Sequence, residues 1–123
     1  NRRRDTEFAG SNTIADIAWY HENSDNRTHP VGEKQANELG LYDMSGNVYE
    51  WCHDWYGSYL SGSQTDPAGP VTGQSRVNRG GSWANFSHLC RVALRSAYTP
   101  TRPFYNLGFR VVLAPSVIRN AMP

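Results

Sequence analysis

"NELGLYDMSGNVYEWCHDWY", residues 37–56, starts as a loop and finishes as a strand. In its first part Asn37, Gly40, Gly46 and Asn47 break any helical or strand period. Its second part, "VYEWCHDWY", is aromatic throughout and has the character of a strand or a buried loop. Between them, Asp43, Gly46, Val48 and Glu50 frame a Gly-containing turn with two carboxylates seven positions apart. A hard cation such as Ca²⁺ takes several oxygen ligands, and two carboxylates with carbonyls from a turn can supply them. Such a site would be structural, because protein ligands fill it. The competing reading is that Asp43 caps a turn and Glu50 pairs with Arg79 or Arg110.

Outward from this stretch, regular structure is sparse. "SNTIADIAWYHEN" places Ile14, Ile17 and Ala18 on one face behind an Asn12 or Thr13 cap, which predicts a short helix or turn. "VGEKQANELGLYDMSGN" reads as an irregular loop, and residues 57–75, rich in Gly, Ser and Pro, as a long surface loop. "RVNRGGSW" and "LGFRVVLA" read as strands, the first broken by a Gly-Gly bend, the second with Phe109, Val111 and Leu113 on one face. The sum is an irregular α+β domain with short strands, long loops and little helix.

Composition agrees. A chain of 123 residues with 38% hydrophobic and 19% charged residues accommodates one domain with a modest core. Its 11 Gly and 7 Pro favour turns over long helices. A net charge of +1 gives no footprint for nucleic acid, and "NRRR" at the start reads as a solvated end. No apolar run is long enough to span a membrane, so direct membrane insertion is not expected. Localisation stays open, with the cell surface or secretion following if a signal segment lies upstream. Two cysteines, Cys52 and Cys90, make neither a zinc site nor a disulfide framework; they are two small buried residues or one disulfide. His21, His29, His53 and His88 show no ligand spacing, and Ser82 has no Asp and His placed by sequence to activate it.

"NELGLYDMSGNVYEWCHDWY", "RVNRGGSW", "CRVALRS" and "NLGFRVV" together resemble the formylglycine-generating enzyme (sulfatase-modifying factor) family, whose core is a variant of the C-type lectin fold. The likeness runs in order from about Ile14 to Val112. Family members carry an N-terminal half before this point, so residues 1–123 read as the C-terminal part of a single domain, with that half as a missing partner. The resemblance implies Ca²⁺ on Asp43 and Glu50 by side chain and on Gly46 and Val48 by carbonyl. It also implies that a Cys after "EW" accompanies one before "R-A-R", which would set Cys52 beside Cys90. The family's enzymes hold copper on two cysteines just after the Gly-Gly-Ser-aromatic turn. Here the first of these positions is Asn85, and "CRVALRS" arrives too early for the second. Cys90 matches a separate, non-catalytic cysteine. Cu(I) selects soft thiolates, so no copper and no enzymatic activity are expected.

Between Ala84 and Asn106 the residues around Cys90-Arg91, Ala93, Arg95 and Pro100 are mixed. Each of these mixed residues has a codon ending in a pyrimidine, and Lys, Glu, Gln, Met and Trp, which have none, are absent. This is the outcome of randomising the adenines of Asn codons, and it resembles the variable proteins of diversity-generating retroelements, many of which use this fold. The resemblance makes residues 84–106 a variable ligand-binding segment. Asn85, Phe86, His88, Tyr98, Thr101, Arg102, Phe104 and Tyr105 are then the displayed side chains, facing a protein or small ligand. The plainer reading makes Phe86, Leu94, Phe104 and Tyr105 core residues, a fate that best suits Leu89 and Leu94. A cysteine-directed oxidase with a displaced site is the enzymatic alternative, and an accessory domain packed on a catalytic partner is the third.

Overall fold

A computed structural model of the chain describes residues 6–57 and 69–112. Its regular elements are one short helix, α1 (Ile14–Ile17), four strands and a 3₁₀ turn (Ser87–Cys90). The strands are β1 (Tyr49–Trp55), β2 (Arg76–Arg79), β3 (Arg95–Tyr98) and β4 (Leu107–Gly108). They form one sheet in the order β3-β2-β1-β4. β2 runs antiparallel to both β1 and β3, with Trp51 opposite Asn78 and Val77 opposite Ala97. β4 lies parallel to β1, with Tyr49 opposite Leu107 and Glu50 opposite Gly108. Little helix and a mixed sheet joined by long irregular connections make an α+β fold of the C-type lectin-like type.

Strand alternation sorts the side chains onto two faces. Tyr49, Trp51, Asn78, Ser96 and Tyr98 share one face, and Glu50, Val77, Arg79 and Ala97 share the other. The helix packs its apolar stripe as the spacing predicts: Ile17 and Ala18 are buried with Phe8, Tyr20 and Cys90, and Ile14 packs against them. Thr13 occupies the N-cap position but makes no side-chain cap bond. A four-residue helix without a cap is held by this burial rather than by its own hydrogen bonds.

The segment 43–47 is the meeting point of the irregular chain. Asp43, Gly46 and Asn47 all have left-handed backbone, with φ of 57°, 78° and 65°. Gly46 N–H donates to the Gly80 carbonyl (2.6 Å) and Asn47 N–H to the Trp19 carbonyl (2.7 Å). Asn47 accepts at its own carbonyl from Trp83 N–H (2.8 Å). Its side chain pairs with the His29 backbone in both directions, Oδ1 accepting at 3.0 Å and Nδ2 donating at 3.0 Å. Ser45 Oγ donates to the Cys90 carbonyl (2.9 Å) and accepts from Ala9 N–H (3.3 Å). At Gly46 a Cβ would run into the Trp19 carbonyl oxygen and the Ala18 methyl, so only glycine permits this approach.

Three expectations are revised. "LGFRVVLA" pairs as a strand only at Leu107–Gly108; the ladder stops just before β1 shifts register between Trp51 and Trp55. Phe109 and Val111 therefore stand in solvent rather than on a buried face. Leu89 and Leu94 are half-buried, because the 3₁₀ turn drives Cys90 into the core instead. Cys52 and Cys90 are free thiols, not a disulfide: Cys90 belongs to the cluster around α1, whereas Cys52 lies on the Glu50–Arg79 face of the sheet. The "NRRR" end, most of the 57–75 stretch and Leu113 lie outside the described residues.

Candidate functional site

Residues 84–106 leave and rejoin the fold at one buried hydroxyl. β2 ends at Arg79 and is followed by Gly80 and Gly81, whose φ values of 99° and 69° turn the chain sharply. Gly81 lies against the Cys90 sulfur, where a Cβ would collide. Ser82, fully buried, then donates to Asn85 Oδ1 (2.5 Å) and accepts from Asn106 Nδ2 (3.2 Å) and Ala84 N–H (3.3 Å). One donor and two acceptor sites are all that a hydroxyl has. Ser82 thereby ties Asn85, near the start of the segment, to Asn106 at its end. Trp83 is held by backbone bonds to Asn47 and to the Ser24 hydroxyl (2.7 Å).

Within this frame the expected side chains divide. Phe86, His88, Thr101, Arg102, Phe104 and Tyr105 are exposed, and Asn85 and Tyr98 are half-buried. Three ring pairs organise the aromatics: Tyr98 stacks on Phe104 (centroids 4.2 Å), Tyr105 meets Trp83 edge-on (5.6 Å), and Phe86 tilts against His21 (4.3 Å). Phe104 and Tyr105 are consecutive, so the first two pairs adjoin. Asn85 serves the frame as much as the surface, since its Oδ1 takes the Ser82 proton and its carbonyl accepts from His21 N–H (2.9 Å). His21 is the neighbour that spacing could not reveal: it lies on the far side of the sequence and arrives through that backbone bond.

At the candidate metal position the two carboxylates have different company. Asp43 accepts Gly32 N–H on Oδ2 (2.9 Å), and its buried Oδ1 has no protein partner. Glu50 is held in a fork by Arg110, Nε to Oε1 at 2.6 Å and Nη2 to Oε2 at 2.9 Å, while Nη2 also reaches the Tyr42 carbonyl (2.7 Å). This is the pairing that the sequence left open between Arg79 and Arg110. The bond to Glu50 raises the Arg110 pKa further, against the effect of its partial burial. The orphaned Asp43 oxygen fits a cation, beside the turn that carries the Gly46 and Val48 carbonyls; Glu50 would have to leave Arg110 to complete the set.

Both thiols sit where burial favours the protonated form. Burial raises the Cys90 pKa to about 11, partly offset by a hydrogen bond from the Ser82 backbone. Burial also raises that of Cys52, with Arg79 lowering it in part. Both therefore rest as thiols near neutrality, the less reactive form. The position that the resemblance gives to a copper-binding cysteine carries Asn85, hydrogen-bonded to Ser82.

Residues 4–115 match the family described as the sulfatase-modifying factor enzyme 1-like domain. The formylglycine-generating enzyme of Streptomyces coelicolor is 48% identical over 88 residues, covering 68% of this chain and 28% of that protein. A serine/threonine-protein kinase of Chlamydia caviae is 46% identical over 87 residues, which are 68% of this chain and 14% of the kinase. The solved structure of Treponema denticola variable protein 1 superposes with a TM-score of 0.80 at 43% identity, over 85% of this chain and 40% of that one. The chain thus spans well under half the length of these relatives.

The shifted Cys90 links stability to alkaline pH. Its proton is held more tightly in the folded chain, so the stabilisation is complete below the ordinary thiol value of 9.0 and is lost as pH rises towards about 11. Urea unfolding measured across that range will show falling stability, and Cys90→Ala will lower the overall stability while flattening the fall. An unchanged slope in Cys90→Ala would mean that the thiol is not the group responsible.

Proposed function

The chain belongs to the sulfatase-modifying factor enzyme 1-like domain family, and from that membership we propose that it is a non-catalytic binding domain whose segment 84–106 is its variable, ligand-contacting surface. The observation that carries this reading is the exposed ring set built on a frame closed at Ser82. Exposed aromatics at neighbouring positions form the kind of apolar patch that marks interaction sites. Tyr supplies contact area at low entropic cost and Arg supplies hydrogen bonds, as in other binding surfaces. The likeness to a structure named as a variable protein supports the same reading, and a segment made only of residue types that have a pyrimidine-ending codon is in keeping with diversification by a retroelement. The ligand is a protein or a small molecule. Residues 84–106 contain no Asp or Glu, and Arg91 and Arg102 are exposed, so an acidic partner surface suits them.

A second reading, a cysteine-directed oxidase, is favoured by one finding, the 48% identity to a formylglycine-generating enzyme. Against it stand Asn85 in place of a thiol and two thiols kept protonated by burial. A surface-display library randomised at Phe86, His88, Thr101, Arg102, Phe104 and Tyr105 separates the two. The binding reading expects most members to stay folded by protease resistance and selection to yield binders to unrelated proteins. Stoichiometric Cu(I) uptake with oxidation of a cysteine peptide by the unmodified chain would overturn it.

Calcium is part of this proposal as a structural ion that fixes the 43–50 turn, held by Asp43, Glu50 and the carbonyls of Gly46 and Val48. It supplies no chemistry at the ligand face. Because Ca²⁺ and Arg110 compete for Glu50, millimolar Ca²⁺ should raise the melting temperature, EDTA should reverse the gain, and Arg110→Gln should tighten Ca²⁺ binding. Indifference to both Ca²⁺ and EDTA would remove the ion from the account.

A further inference from the structure

The ring set continues beyond residues 84–106. Strand register places Trp55 opposite Arg76 and Arg76 opposite Tyr98, so the three lie side by side across β1, β2 and β3. Tyr98 in turn stacks on Phe104. The row therefore runs from Phe104 and Tyr98, inside the segment, to Arg76 and Trp55, outside it. Substitutions in the segment leave that outer pair in place. The Arg76 guanidinium lies over the Trp55 ring, 4.0 Å from its centroid, a favourable cation–π distance. Gly73 packs against the same indole, where a Cβ would come within 2.9 Å of the Trp55 Cβ. Arg76 Nη1 donates to the His53 carbonyl. Ring and carbonyl together hold the guanidinium in one orientation, which leaves less freedom to lose on binding.

Its other edge faces no protein group. Nε and Nη2 of Arg76 have no partner among the described residues. They form the same edge by which Arg110 grips Glu50 in a fork. Among the described residues no carboxylate pairs with Arg76, and Asp54, next to Trp55 in the chain, has its side chain against Gly69. A half-buried guanidinium with an open fork and no counter-charge suits a planar anion that offers two oxygens.

We propose that Arg76 binds an aspartate or glutamate side chain of a protein partner on its Nε and Nη2, giving the ligand face a fixed anchor beside its substitutable rings. This rests on the reading of residues 84–106 as the contact surface. The occupant is a protein side chain rather than a lone small acid, because Tyr98 and Phe104 present ring area beside the fork that one carboxylate cannot cover. Residues 84–106 contain no Asp or Glu to repel it.

The test follows Arg76 Nε–H and Trp55 Nε1–H by nitrogen–proton correlation NMR in the unmodified chain. The probes are the peptide acetyl-Leu-Glu-Gly-Glu-Leu-amide, its glutamine counterpart and sodium acetate. The glutamate peptide should shift both resonances and bind about fivefold more tightly than the glutamine peptide. Acetate at the same carboxylate concentration should shift them less. Arg76→Gln should reduce the glutamate peptide to the affinity of its counterpart, and Arg76→Lys, which keeps the charge without the fork, should restore only part of it. An Arg76 resonance that stays still, or one that answers acetate as strongly as the peptide, would overturn the proposal. The display library keeps this failure apart from that of the binding reading. Library binders to acidic proteins that hold their affinity with Arg76→Gln would remove the anchor and leave the reading, whereas a library without binders would remove the reading.

Discussion

Asn47 is the constraint on which the other contacts depend. Its backbone bonds Trp19 and Trp83, and its side chain closes a two-way pair with the His29 backbone. Segments far apart in sequence, around residues 19, 29 and 83, are therefore registered against one buried amide. The arrangement requires left-handed backbone at Asn47 and Gly46, which Asn and Gly tolerate best. Ser45 adds Ala9 and Cys90 to the same junction. With few strand ladders and one short helix, the fold gains its order from side-chain and turn bonds converging here.

That junction is compatible with variation on the proposed ligand face. Trp83 leaves Asn47 fixed in place, Ser82 binds both ends of the following segment, and Cys90 fills the core from within it. Between those points exposed Tyr105 meets Trp83 by a ring contact rather than by one of the hydrogen bonds that close the junction. Substituting the exposed side chains should cost little, as is usual at surfaces. The carboxylates beside the junction tell a different story, since Glu50 is held by the Arg110 guanidinium.

How much of this was legible in the sequence depended on whether a feature is local. The α1 stripe, the β1 strand and the Gly-Gly break are local patterns, and each is found where the residues place it. The last strand was overread because alternation of Phe109, Val111 and Leu113 signals a two-sided environment without saying whether a partner is present. Arg110 as the partner of Glu50 could be narrowed to two candidates but not chosen, since the choice depends on β4 lying beside β1. His21 against Phe86, and Ser82 joining Asn85 to Asn106, are tertiary facts with no periodic signature. The family motifs marked the frame, yet Asn85, expected on the surface, turned out to be partly frame itself.

The division between a fixed junction and a free face is tested most directly by urea denaturation of four single variants side by side. Asn47→Ala leaves two His29 backbone groups without partners, and the account predicts a loss of about 1–3 kcal/mol. Gly46→Ala, blocked by the Trp19 carbonyl, should lose at least as much. Arg102→Ser and Tyr105→Ser, both exposed, should stay within about 0.5 kcal/mol of the parent. Equal losses in all four, or tolerance at Asn47 with unfolding at Tyr105, would contradict it.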